Sequence, residues 1–133
     1  MGMSEPGIDI LERILATHGD FGHREHLELA WSCLDRYDLD AAHRAVRTAV
    51  RHVAALHGTP DRYHETITRS WVHVVALHRA LDPGDSFEAF MAAHPELLTK
   101  DLLSRHYSEP VLFSGPARTA WAEPDLREFP ALG

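Results

Sequence analysis

Every long segment of this chain repeats its apolar residues at a helical spacing, and none alternates over strand length. That pattern confines the fold to the all-α class. In "IDILERILATHG" the residues Ile8, Leu11, Ile14 and Leu15 share one stripe, predicting a first helix over about residues 7–17 that stops near Gly19. Gly22 precedes a second helix as its N-cap, with Glu25 at the acidic position of a capping box, and the helix runs from His23 to about Asp38. Its inward stripe reads Leu27, Ala30, Trp31, Leu34 and Tyr37, extended backward by His23 and His26.

Asp40 then caps "AAHRAVRTAVRHVAALH", where Ala42, Val46, Ala49, Val53 and Leu56 face inward and Gly58 stops the helix. Thr59 followed by Pro60 opens a fourth helix that reaches Leu81, with His64, Ile67, Thr68, Trp71, Val74, Val75 and His78 on its inner face. "DPGDS" is a turn, and short helices follow at about 86–93 and 99–106. From Ser108 onward a Pro-rich segment reads as an extended strap with at most one helical turn, packed on the bundle through Val111, Leu112, Phe113, Trp121 and Phe129. The expectation is one domain over residues 1–133. It is a bundle of four main helices plus short ones, with its core over about 7–107 and an extended segment over 108–133. The core should hold Leu27, Trp31, Leu34, Val46, Val53, Ile67, Trp71 and Val75.

Composition narrows the function. A formal net charge of −7 lacks the Lys/Arg excess on which phosphate affinity rests, so a general nucleic-acid binder is excluded. The chain has no apolar run of the roughly 18 residues that a membrane span needs and no secretory leader pattern, and it has a single cysteine, Cys33. Together these features predict a cytoplasmic protein with no membrane partner. There is no Asn or Gln and only one lysine, Lys100, so a polar site must be built from His, Asp, Glu, Arg, Tyr, Ser, Thr or backbone. Eleven histidines supply the obvious material.

His23 and His26 stand three residues apart in the opening turns of the second helix, a spacing that suits capture of one ion by two rings. "YHETIT" puts His64 and Glu65 near the start of the fourth helix, with Thr68 one turn on. If the third helix is a single crossover, helices two and four run parallel and their starts share one end, bringing His23, His26 and His64 together. Three imidazoles with an open position match the chemistry of a zinc or iron ion, with Glu65 as a further ligand or as base toward a bound water. Two histidines with Glu65 or Glu25 are the iron-type alternative. The positive end of the helix dipole opposes a cation at that place.

"LSRHYSEP" adds His106 as a further candidate ligand and Arg105 as a carboxylate binder. Tyr63, Thr68, Trp71, Arg105 and Tyr107 are candidates for contact with a small molecule. His78 lies 14 residues beyond His64, roughly 21 Å along the helix, and reads as a satisfied core or edge histidine. His43, His52, His57, His73 and His94 read as surface or flank residues. A buried thiol is the reading for Cys33.

These stretches resemble a family of small bacterial helical proteins, uncharacterised in activity, that carry "FxHxxHLxxAW", "YHETIT" and "RHYS" segments. The matching residues here are Phe21, His23, His26, Leu27, Ala30 and Trp31, then Tyr63 to Thr68, then Arg105 to Ser108. The resemblance implies a shared fold over most of residues 21–125 and supplies no reaction. From the histidine cluster, the functional expectation is a small metal-binding helical protein; the sequence leaves open whether the ion is structural or that of a mononuclear metalloenzyme acting on a small molecule. A metal-free module that binds a small ligand or partner through a His- and aromatic-lined pocket is the alternative.

Overall fold

A computed structural model describes residues 6–132. The fold is all-α, with no strand among those residues, and the chain divides into two compact units, Met1–Tyr63 and His64–Gly133. The sequence pattern suggests one domain; the packing groups the residues in two.

The first unit holds α1 (Ile8–His18), α2 (His23–Arg36) and α3 (Leu39–Leu56), packed pairwise, followed by a 3-10 turn at Pro60–Arg62. α1 buries Leu11 and Ile14 of the expected stripe together with Ile10, while Ile8 and Leu15 are only half-buried, so its inner face is turned slightly from the expected one. Burial of each such side chain is worth about 1.5–3 kcal/mol. Glu25 closes the start of α2 by accepting the Gly22 N–H at 2.7 Å, as the capping-box spacing predicts. The buried face of α2 is turned from the expected one. Leu27, Leu29, Ala30 and Cys33 are enclosed, while Trp31 and Leu34 are only half-buried. The cap of α3 is Asp38 rather than Asp40, because the Asp38 carboxylate accepts the Ala41 N–H at 2.8 Å and so starts the helix two residues earlier. Ala42, Val46, Ala49 and Val53 form its core stripe, as expected, and Leu56 is exposed.

The second unit is organised on α4 (Glu65–Leu81). The helix begins five residues later than the Thr59–Pro60 pair suggests, since Pro60–Arg62 forms a separate 3-10 turn and Tyr63 is extended. Its N-cap is His64, whose ring nitrogen accepts the Ile67 N–H. Trp71 and Val75 are buried on α4 and Ile67 is half-buried. After a turn comes α5 (Phe87–Ala93), capped by Ser86, then 3-10 turns at Pro95–Leu98 and Lys100–Arg105.

The C-terminal segment contains two short helices, α6 (Glu109–Leu112) and α7 (Gly115–Thr119), where one turn at most was expected. The cause is local. Ser108 and Ser114 each accept a backbone N–H as N-caps, and Pro110 and Pro116 sit at the second helical positions, in the first turn, where a missing N–H costs no intrahelical bond. Beyond Thr119 the chain is extended, as the Pro-rich composition suggests, and side chains of earlier residues tie its backbone down. Thr66 Oγ1 donates to the Ala120 carbonyl and accepts from the Ala122 N–H, while the Tyr107 hydroxyl donates to the Ala122 carbonyl. Phe129 stacks on His106 with ring centres 4.1 Å apart.

Candidate metal centre

The histidines singled out by the sequence meet different fates. In the first unit, His23 and His26 stand in the opening turns of α2, both half-buried. The Nε2 atom of His26 is shielded from solvent and has no hydrogen-bond partner among the described residues. Burial, aided by the neighbouring His23, pushes its pKa down to about 4. The ring is therefore neutral at pH 7. Tyr63 lies under the Arg51 guanidinium, 4.8 Å from its ring centre. Cys33 is buried, and desolvation raises its thiol to about 12, so the expectation of an inert thiol agrees with its surroundings.

In the second unit both ring nitrogens of His64 are engaged by backbone. Nδ1 accepts from Ile67 N–H at 3.1 Å, and Nε2–H donates to the Leu112 carbonyl at 2.7 Å. One neutral tautomer satisfies both bonds, and burial lowers the pKa accordingly. A metal ion at His64 would have to break one of them. His106 gives its Nδ1–H to the Arg127 carbonyl at 2.8 Å. Glu65, the first residue of α4, is 7% exposed, and Thr68 and Trp71 are buried beside it in sequence. The Tyr107 hydroxyl is committed to the Ala122 carbonyl and its pKa is pushed up to about 12, chiefly by burial. Arg105 is exposed at the end of its 3-10 turn.

A different group gathers metal-ligand atoms: His78, His94 and Glu96, one ligand atom of each lying within 4.8 Å of the others. The sequence reads His78 as a satisfied core or edge residue and His94 as a surface or flank one; His94 is buried, at 6% exposure. Three elements bring them together. His78 occupies the last turn of α4, His94 links α5 to the next 3-10 turn, and Glu96 is in that turn. The return of the chain depends on Gly84, which has φ 68° and packs so tightly that a Cβ there would lie 2.7 Å from the Phe90 nitrogen.

The hydrogen bonds around this cluster decide which nitrogens face it. His78 Nδ1–H donates to the Val74 carbonyl at 2.8 Å, leaving Nε2 at 3.3 Å from Glu96 Oε1. His94 Nε2–H donates to the Asp82 carbonyl at 2.9 Å, leaving Nδ1 at 3.8 Å from the same oxygen. Each ring thus spends its N–H on a carbonyl and turns its other nitrogen toward a carboxylate. Three acceptors so placed repel one another unless a cation joins them, whether a proton on one ring or a metal ion. A backbone carbonyl that holds the second ring nitrogen is also the usual support of a metal-bound histidine. The two imidazoles stand nearly perpendicular, at 82°, with centres 5.1 Å apart, and Phe90 backs His94 at 4.8 Å.

The electrostatics favour a cation here for a second reason. The site adjoins the C-terminal end of α4, a helix of 17 residues, where unpaired carbonyls present partial negative charge. The N-terminal positions of His23 and His64 have the opposite bias. A signal in the sequence existed: "HPE" sets a histidine and a carboxylate two apart on a Pro-initiated turn. Its partner, His78, is 16 residues away, beyond any local spacing rule. No helix among the described residues is long and apolar enough to cross a membrane. Comparison with known proteins found no matching family, no matching curated protein and no matching solved structure.

Proposed function

We propose that this is a small metal-binding helical protein whose ion, zinc or iron, is held by His78 Nε2, His94 Nδ1 and Glu96. The observation that carries the reading is geometric: one nitrogen of each ring lies at a backbone carbonyl, Val74 or Asp82, and the other nitrogen of each is turned toward the one Glu96 carboxylate. Two imidazoles and one carboxylate suit zinc, and equally the facial triad of non-haem iron. The protein works in the cytoplasm on a small molecule, a reading supported by its acidic charge and its buried free thiol.

His23 and His26 remain a second proposed binding pair, supported by the shielded, unpartnered Nε2 of His26. The metal-free alternative, a ligand or partner module with a His- and aromatic-lined pocket, has less support, because the Tyr107 hydroxyl is already bonded to the Ala122 carbonyl. Likeness to the uncharacterised bacterial family rests on the quoted segments, none of which includes His78, His94 or Glu96.

Metal analysis of untagged protein, purified without a metal column, tests the reading. About one zinc or iron per chain is expected, falling to background in His94→Ala and Glu96→Gln. Metal retained in both variants would place any ion elsewhere.

A further inference from the structure

Three donor atoms do not complete the coordination of zinc, which takes four ligands, or of iron, which takes up to six. Among the described residues the cluster offers one atom each from His78, His94 and Glu96. Exposure around them is lopsided. The side chain of His94 is 8% exposed and that of His78 20%, whereas that of Glu96 is 51% exposed. Phe90 closes the rear of the His94 ring. An ion in this cradle would be walled on the histidine side and reachable on the Glu96 side.

Resting on the metal reading above, we infer that the site is an open one that takes a small carboxylate from solution as its remaining ligand. Charge sets the class. A divalent ion and the Glu96 carboxylate leave one positive charge, which a single monoanion neutralises. A carboxylate is a hard oxygen donor of that charge, and the Glu96 side from which it would approach is 51% exposed. A neutral donor of the same shape gains nothing from this charge and binds more weakly. A phosphate dianion would overcompensate the charge in a chain whose net charge is already −7.

The full chain loaded with cobalt(II) in place of the native ion provides the test, because cobalt absorption reports a change in its ligands. The probes are acetate and its neutral isostere acetamide. One cobalt per chain, with a saturable spectral change on adding acetate and at least a tenfold weaker response to acetamide, supports the inference. One cobalt per chain with a spectrum that acetate leaves unmoved means a closed, structural ion; the inference fails while the metal reading stands. Equal responses to the two probes overturn the monoanion class. Cobalt-dependent dimerisation in sedimentation, with no acetate response, means that a second copy fills the open position, which also overturns the inference. Failure to bind cobalt, zinc or iron removes the metal reading itself.

Discussion

His78 Nε2 and Glu96 Oε1 face each other at 3.3 Å, and the other nitrogen of His78 is held by a carbonyl of its own helix. Without a cation the two acceptors repel each other, and with only a proton between them such a partly exposed pair contributes little, about 0–1 kcal/mol. With a metal ion between the groups, the same contact becomes a link between the end of α4 and the turn after α5. Restoring zinc to chelator-treated protein at a hundredfold excess over Kd should then add about 2.7 kcal/mol of stability, several degrees in Tm. Thermal melts with and without metal check this. An unchanged Tm across zinc, iron and cobalt would count against a site in the folded state.

The turn that returns the chain to His78 is expected to be sensitive. Gly84→Ala places a Cβ against the Phe90 backbone at a φ of 68° that other residues rarely adopt. A loss of about 1–3 kcal/mol is expected from denaturant titration, with weaker metal binding because the Asp82 carbonyl no longer orients His94. A neutral effect on both would mean that the turn does not position the site.

His26 predicts a pH dependence whose sign can be worked out. Its folded pKa, about 4, lies below the ordinary value of 6.5, so the unfolded chain binds the proton more readily. The folded state keeps its advantage above about pH 6.5 and loses it as the pH falls toward 4. His26→Leu should flatten this part of the stability profile and, by removing an unpartnered buried nitrogen, raise stability at pH 7 by about 1 kcal/mol. Equal acid sensitivity in the variant and the parent would contradict this account of His26.

His64 acts as a cap and a tie. His64→Ala removes the Ile67 and Leu112 hydrogen bonds together and should cost about 1–3 kcal/mol. His64→Asp restores an N-cap acceptor and should recover part of the loss, while the Leu112 carbonyl stays unserved. Because burial lowers the His64 pKa, its contribution is also present above the unfolded pKa and is lost as the pH falls. Urea titrations of the three proteins at pH 7 and pH 5 check the order. Identical stabilities for the Ala and Asp variants would refute the capping role.

What the sequence made legible follows the range of the interactions. The stripe of α3, the Gly22–Glu25 box and the turn before α5 are local, and they appear where the spacing puts them. Errors of a few residues arose where two caps competed: Asp38 was chosen over Asp40, and the His64 ring took the part assigned to Thr59. The turned face of α2 could not be read because Leu29 and Trp31 are both apolar, and packing decides which is enclosed. The His78, His94 and Glu96 group was missed for a stronger reason. It exists only because a glycine turn and α5 fold His94 back onto the Asp82 carbonyl, a contact that no helical period encodes.

Anomalous X-ray diffraction from crystals of the zinc-loaded protein locates the ion directly. The account predicts one strong peak about 2.0–2.2 Å from His78 Nε2, His94 Nδ1 and a Glu96 oxygen. A peak beside His23 and His26 with none near Glu96, or no ordered zinc at all, would contradict it.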